Sequence, residues 1–136
     1  MTRRLLSLLA LTVAMGVGSL VQAADTPAKH RLFEMRTYYT HDGRLPALNK
    51  RFREHTNKLF VKHGMELVGY WMPTDKPETL VYILAYPDKK AREASWKGFG
   101  SDPEWKKAQA ASEKDGKIVK KVESVFLNPT DYSPIK

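Results

Sequence analysis

Glu34, Arg36 and Tyr38 occupy every second position of the run Leu32 to Tyr39. In a strand, residues two apart point to the same face about 7 Å from each other. Three side chains with complementary chemistry therefore stand in a row. Arg36 offers a planar guanidinium that clamps a carboxylate, phosphate or enolate oxygen. Tyr38 can donate a hydrogen bond or a proton. Glu34 can act as a base if burial raises its pKa. The plainer alternative is an ion pair between Glu34 and Arg36, or with Glu123 and Lys121, that ties two copies of the chain together.

The four histidines form no metal-ligating pattern. His55 and His63 are eight residues apart, on one side of a helix but two turns from each other. A helical metal pair needs a spacing of about four. His55 falls in an apolar stripe, as a hydrogen-bonded core histidine or a catalytic one. His63 precedes Gly64, where a helix dipole favours it, and His41 sits in a turn. No metal and no fixed cofactor are expected. Tyr70, Trp71, Tyr82 and Tyr86 belong to one hairpin and either line a pocket for a flat ligand or pack a core and an interface. Trp96 and Trp105 read as anchors of helices on a sheet.

The elements that position these residues follow from periodicity. Leu32 to Tyr39 alternates with period two and is a strand, followed by the turn His41-Asp42-Gly43. From Leu45 to His63, Leu45, Leu48, Phe52, His55, Leu59 and His63 recur at helical spacing, with Pro46 in the first turn and Gly64 as the stop. Met65 to Met72 and Thr79 to Tyr86 form an antiparallel hairpin around the turn Pro73 to Pro77. Asp88 to Phe99 is a second helix that breaks at Gly100. Asp102-Pro103-Glu104 restarts it, and Trp105 to Lys114 completes it. Lys117 to Leu127 is the last strand, and Asn128 to Lys136 a tail.

The resulting order is β-α-β-β-α-β, an α+β, ferredoxin-like arrangement with a four-stranded antiparallel sheet and both helices on one face. The strands carry apolar residues on both sides, so the helix-free face also needs cover. A copy of the same sheet supplies it, giving a homodimeric α/β barrel.

Residues 1–23 read as a secretory signal peptide. Arg3 and Arg4 are the basic start, Leu5 to Val21 the apolar run, and Val21-Gln22-Ala23 the cleavage signal, with the cut between Ala23 and Ala24. Cleavage lowers the formal charge from +8 to +6 by removing Arg3 and Arg4. A linker at 24–30 then leads into a domain at 31–136. The expected location is periplasmic or secreted, with no stable membrane insertion after cleavage. The chain has no Cys, which excludes disulfides, zinc–thiolate sites and covalent haem attachment through CxxCH. Its basic residues are scattered, and the RNA-binding pattern of a ferredoxin-like sheet is missing, so no nucleic-acid partner is expected. Nucleophile-elbow, P-loop, GxGxxG and HExxH motifs are all absent.

An ordered series of short segments then resembles a known family. Phe33-Glu34-Met35-Arg36-Thr37-Tyr38, Gly43-Arg44-Leu45-Pro46-Ala47-Leu48, Lys62-His63-Gly64, Leu67-Val68-Gly69-Tyr70-Trp71, Ser101-Asp102-Pro103-Glu104-Trp105 and Asn128-Pro129-Thr130-Asp131-Tyr132-Ser133-Pro134 resemble the NIPSNAP family in order and spacing. The resemblance implies a ferredoxin-like protomer that dimerises sheet to sheet. Its wider superfamily includes cofactor-free monooxygenases, haem-degrading enzymes and small-ligand proteins, among which fold alone does not choose. The expectation is an exported homodimer that binds a small apolar or aromatic ligand in the barrel, with the face of Glu34, Arg36 and Tyr38 turned into that cavity. The candidate residues are Glu34, Arg36, Tyr38, His55, Tyr70, Trp71 and Tyr82. The alternatives are a cofactor-independent monooxygenase or isomerase, and a structural or partner-binding module.

Overall fold

The computed structural model describes residues 31–136. The expected signal peptide, its cleavage point at Ala23 and Ala24, and the linker at 24–30 lie outside them. Four strands form one antiparallel sheet in the order β2-β3-β1-β4. They are β1 (Leu32–Thr40), β2 (Glu66–Trp71), β3 (Thr79–Tyr86) and β4 (Val119–Leu127). The helices are α1 (Leu45–Arg51), α2 (Asn57–Lys62), α3 (Lys89–Ser101) and α4 (Pro103–Ser112). This is the expected α+β, ferredoxin-like order, with the second helical segment split at Asp102.

The core lies between the helices and one sheet face. Leu48, Phe52, Leu59 and Phe60 from the first helical segment meet Leu80, Tyr82, Leu84 and Tyr86 of β3, with Phe99 and Ile118 closing the edges. Burying one such side chain contributes about 1.5–3 kcal/mol.

Alternation along β1 sends Glu34, Arg36 and Tyr38 into this layer and Met35, Thr37 and Tyr39 to the other face. That helix-free face carries Trp71, which is 53% exposed, and Val125, which is 48% exposed. The C-terminal tail covers one end of it. Phe33, Val68, Ile83, Leu127, Pro129 and Ile135 there enclose an apolar hollow of about 340 Å³.

Two local features depart from a regular reading. The first helix is not α-helical throughout: Phe52–Thr56 form a π-helical turn between α1 and α2, in which the Asn57 N–H reaches the Phe52 carbonyl. One extra residue per turn rotates everything beyond it. The buried side chains run Leu48, Arg51, Phe52, Thr56, Leu59 and Phe60, so His55, expected in the apolar stripe, faces solvent.

The second feature is a helix cap from far along the chain. Arg44, the residue preceding α1, makes no side-chain cap. The Glu78 carboxylate takes its place, accepting from Leu45 N at 2.9 Å, Gly43 N at 3.1 Å and Thr40 Oγ1 at 2.5 Å. Glu78 adopts φ 57° to reach them, a backbone conformation disfavoured for residues with a Cβ. The Thr40 hydroxyl, followed by the Leu45 N–H, holds the Glu78 carboxyl below its ordinary pKa.

Lys62-His63-Gly64 and Ser101-Asp102-Pro103, distant in sequence, meet at the turn between α3 and α4. The Asp102 carboxylate takes the His63 Nε2 at 2.7 Å and the Lys62 ammonium at 2.9 Å, and caps α4 through the Glu104 N–H at 2.8 Å. His63 thus sits at a helix end as expected, but is hydrogen-bonded across the fold to Asp102. A Cβ on Gly98 would stand 2.7 Å from His63 Nδ1. Gly98→Ala is therefore expected to push the ring off Asp102. The variant should lose about 1 kcal/mol, rather than gain the about 1 kcal/mol that Ala brings to an open helix. Urea unfolding together with the His63 imidazole NMR signals checks this; a more stable variant with unmoved signals would contradict it.

Candidate functional site

Glu34 is fully buried and receives donors from β1, β3, β4 and α3. Its Oε1 accepts from Arg36 Nη1 at 2.8 Å, Arg92 Nη2 at 2.8 Å and Ser124 Oγ at 2.7 Å. Its Oε2 accepts from the Tyr86 hydroxyl at 2.9 Å, Arg92 Nε at 3.0 Å and Trp96 Nε1 at 3.2 Å. Arg92 binds in the two-pronged geometry that suits a guanidinium and a carboxylate. Burial pushes the Glu34 pKa up, but the hydrogen bonds from Arg92, Ser124, Tyr86 and Arg36 outweigh it and bring the value down to about 2. Glu34 is thus a fixed anion at neutral pH. A base needs a raised pKa and an open lone pair, and Glu34 has neither.

What Glu34 does is hold Arg36. The Arg36 side chain is 13% exposed and is fixed on every side. Its guanidinium lies 4.3 Å from the Trp96 ring centre, Nε donates to the Tyr82 hydroxyl at 3.0 Å, and Nη2 reaches the Tyr38 hydroxyl at 3.5 Å. Burial works against its charge, but Tyr38, Tyr82 and Glu34 outweigh that and hold the guanidinium protonated. Burial pushes the hydroxyls of Tyr70, Tyr82 and Tyr86 above the ordinary phenol value, so these three stay neutral. The anticipated pairing of Glu34 with Arg36 is present within the chain. Lys121 and Glu123 instead pair with each other on the opposite face, beside Tyr39.

Beyond Tyr38 the space between helices and sheet opens into a cavity of about 290 Å³. Tyr38, Phe52, Phe60, Phe99 and Trp105 form its aromatic walls. Phe52, at the head of the π-helical turn, packs edge-on against Tyr38 at 6.0 Å, Tyr70 at 5.7 Å and Tyr82 at 5.2 Å. The irregular turn thus builds one wall, a placement such turns favour at functional sites. Arg51, Thr56, Gln109, Glu113 and Lys117 supply polar atoms. The volume is at the small end for ligand pockets and suits a molecule of one or two rings.

Of the seven residues singled out from sequence, Glu34, Arg36, Tyr38, Tyr70 and Tyr82 come together on the helix side of the sheet, packed against the chain's own helices rather than turned into a barrel between two sheets as expected. Two lie elsewhere. His55 is exposed beside Glu54, at 4.0 Å. Trp71, one position from Tyr70, points to the opposite face, where its ring folds over Gly69 and leaves no room for a Cβ there. Arg51, Arg92 and Ser124 were missed. Arg51 had a signal, because it stands three residues after Leu48, in step with the apolar stripe. Arg92 also had one, four residues before Trp96. Ser124 had none. Among the described residues no group of three or more His, Asp or Glu could hold a metal ion. No helix there is long and apolar enough to cross a membrane.

Known structures share this architecture. A NIPSNAP family protein of unknown function from Agrobacterium tumefaciens is 25% identical over 80% of this chain and 96% of its own, with a TM-score of 0.70. An uncharacterised NIPSNAP domain protein from Burkholderia xenovorans is 27% identical over 76% and 98%, with a TM-score of 0.65. A putative antibiotic biosynthesis monooxygenase from Nitrosomonas europaea shares the fold at 13% identity over 79% and 96%, with a TM-score of 0.57. No curated protein matches the chain. The NIPSNAP sequence pattern itself matches residues 33–134. It therefore spans the strand that carries Glu34, Arg36 and Tyr38, both helical segments around the cavity, and the tail. By that match the chain belongs to the NIPSNAP family.

Proposed function

We propose that the protein is an exported homodimer that binds a small, flat, apolar or aromatic ligand in the cavity between its helices and sheet. One observation carries the reading. A pocket of about 290 Å³ with five aromatic walls takes in Tyr38, and an ion cluster built on the fully buried Glu34 holds Arg36 within 3.5 Å of the Tyr38 hydroxyl. Such a cluster fixes a donor in place, which is what a binding site for a small molecule needs. The exposed Trp71 and Val125 on the helix-free face support the dimer, since a second copy of that face would cover them.

Native mass spectrometry of protein recovered from the cell envelope tests the whole reading. A dimer with a reproducible extra mass is the expected result. A bare monomer would contradict the dimer, and a bare dimer the resident ligand. A variant separates the cavity from the fold. Val122 lines the cavity and is 42% exposed, so Val122→Trp can enter the cavity from its rim without disturbing the core. It is expected to displace the extra mass and leave stability within about 0.5 kcal/mol. Retention of the ligand by Val122→Trp would place it elsewhere.

The fold shared with a putative monooxygenase favours a second reading, a cofactor-independent monooxygenase or isomerase. Under it, Arg36→Ala and Tyr38→Phe abolish turnover and leave the dimer intact. The low pKa of Glu34 weighs against it, because the carboxylate best placed to act as base is already committed to two arginines.

A further inference from the structure

Arg51 is the one strongly buried cation in the cavity wall, and its bonding is incomplete. Its side chain is 3% exposed. It lies across the Trp105 ring, 5.1 Å from the ring centre. A guanidinium carries five N–H donors. Here only Nη1 donates, to Ser112 Oγ at 3.2 Å and Glu113 Oε1 at 3.3 Å, both long for a charge-assisted bond. Its Nε is buried with no partner among the described residues. A buried donor left unpaired carries a desolvation cost that nothing offsets. Arg51, with only long contacts to Ser112 and Glu113, is thus an under-satisfied cation in the wall of the aromatic cavity.

The charges around the cavity point the same way. Arg51 and Lys117 line it against a single carboxylate, Glu113, leaving one positive charge in excess. Glu113 is 23% exposed and held by one long contact, so it can swing into solvent and yield Arg51 to another anion. Tyr38, Phe52, Phe60, Phe99 and Trp105 make up the aromatic part of the lining.

The geometry points to a ligand that is an aromatic anion, a carboxylate or an enolate on a ring, with its charge met by Arg51 and its ring held between Phe52, Phe60 and Trp105. This rests on the cavity reading above and adds the sign of the ligand's charge. Glu113 is the stand-in for the ligand's anionic group when the cavity holds none.

Paired probes of nearly equal shape test it: benzoate, which is anionic, and benzyl alcohol, which is neutral, titrated into the purified full chain and followed by NMR. Benzoate is expected to bind about tenfold tighter or more. Arg51→Met should bring the ratio of the two affinities close to one. Glu113→Gln, on a partly exposed side chain that the fold tolerates, should raise that ratio several-fold by removing the internal competitor. Equal binding of the two probes to the unmodified protein would overturn the anion assignment and leave the cavity reading standing. So would a benzoate preference that survives in Arg51→Met, or a ratio unmoved in Glu113→Gln. Failure of both probes to bind would overturn the cavity reading, and the anion assignment with it.

Discussion

Replacing Glu34 by Ala is expected to destabilise the protein by about 3 kcal/mol or more. Arg36 and Arg92 both point at the Glu34 carboxylate, at 2.8 Å each. Without it two largely buried guanidiniums face each other beside Trp96 and Tyr86. The loss comes from uncompensated charge as well as from missing contacts. Glu34→Gln, which preserves shape but leaves the positive charges in place, should recover only a minor part. Chemical denaturation of the two variants checks the size and the order. A loss below about 1 kcal/mol in Glu34→Ala would show that water enters and screens the arginines.

The same carboxylate sets a pH dependence. Its pKa falls from 4.5 in an unfolded chain to about 2 in the folded one. A lowered carboxylate pKa means that the folded state holds its proton less tightly, so acid favours unfolding. The Glu34 contribution, about 3 kcal/mol, is present in full above about pH 4.5. It is lost as the pH falls through about 2. The difference in stability between the unmodified protein and Glu34→Gln should therefore be constant from neutral pH to about 5 and shrink below 4.5. A difference that stays constant down to pH 2.5 would contradict the assignment of the shift to this residue.

Phe60→Ala is the second large effect, with an expected loss of about 3–5 kcal/mol. Phe60 is 1% exposed. Its ring stands 4.8 Å from Phe99, 5.3 Å from Trp96, 6.0 Å from Phe52 and 6.1 Å from Tyr82. It is thus the joint between the helix layer, the strand β3 and the ring that stacks on Arg36. Removing it joins the space it filled to the existing cavity and leaves four rings without a shared neighbour. Because the cavity is already there, the walls have little to collapse onto, which places the loss at the upper end of the range. Phe60→Leu, which keeps most of the volume, should lose no more than about 1.5 kcal/mol. Urea unfolding of the pair checks both. A Phe60→Ala loss near that of Phe60→Leu would mean that Trp96 and Phe99 close the gap.

Local sequence is enough for the strands, the helical segments and their antiparallel ferredoxin-like order. These depend on local periodicity and on turn residues such as Pro46, Gly64 and Asp102, whose effects act within a few positions. It also determined that Glu34, Arg36 and Tyr38 share a face, because alternation is a property of one strand. Which layer that face meets was decided only in three dimensions. Arg92, Trp96 and Ser124 reach Glu34 from 58 to 90 residues away, and no local pattern connects them. The position of His55 was likewise beyond a regular helical count, since the π-helical turn at Phe52–Thr56 rotates the stripe by one residue. Trp71 was separable from Tyr70 by alternation alone, but what its ring packs on was not.

The far cap Glu78 and the buried Arg51 show the same division. Each is a polar residue whose partners come from another part of the chain, and whose role appears when packing removes water from it. Short-range periodicity sorts residues into faces. Tertiary packing alone decides which polar group on a buried face is satisfied and which, like the Arg51 Nε, is left without a partner.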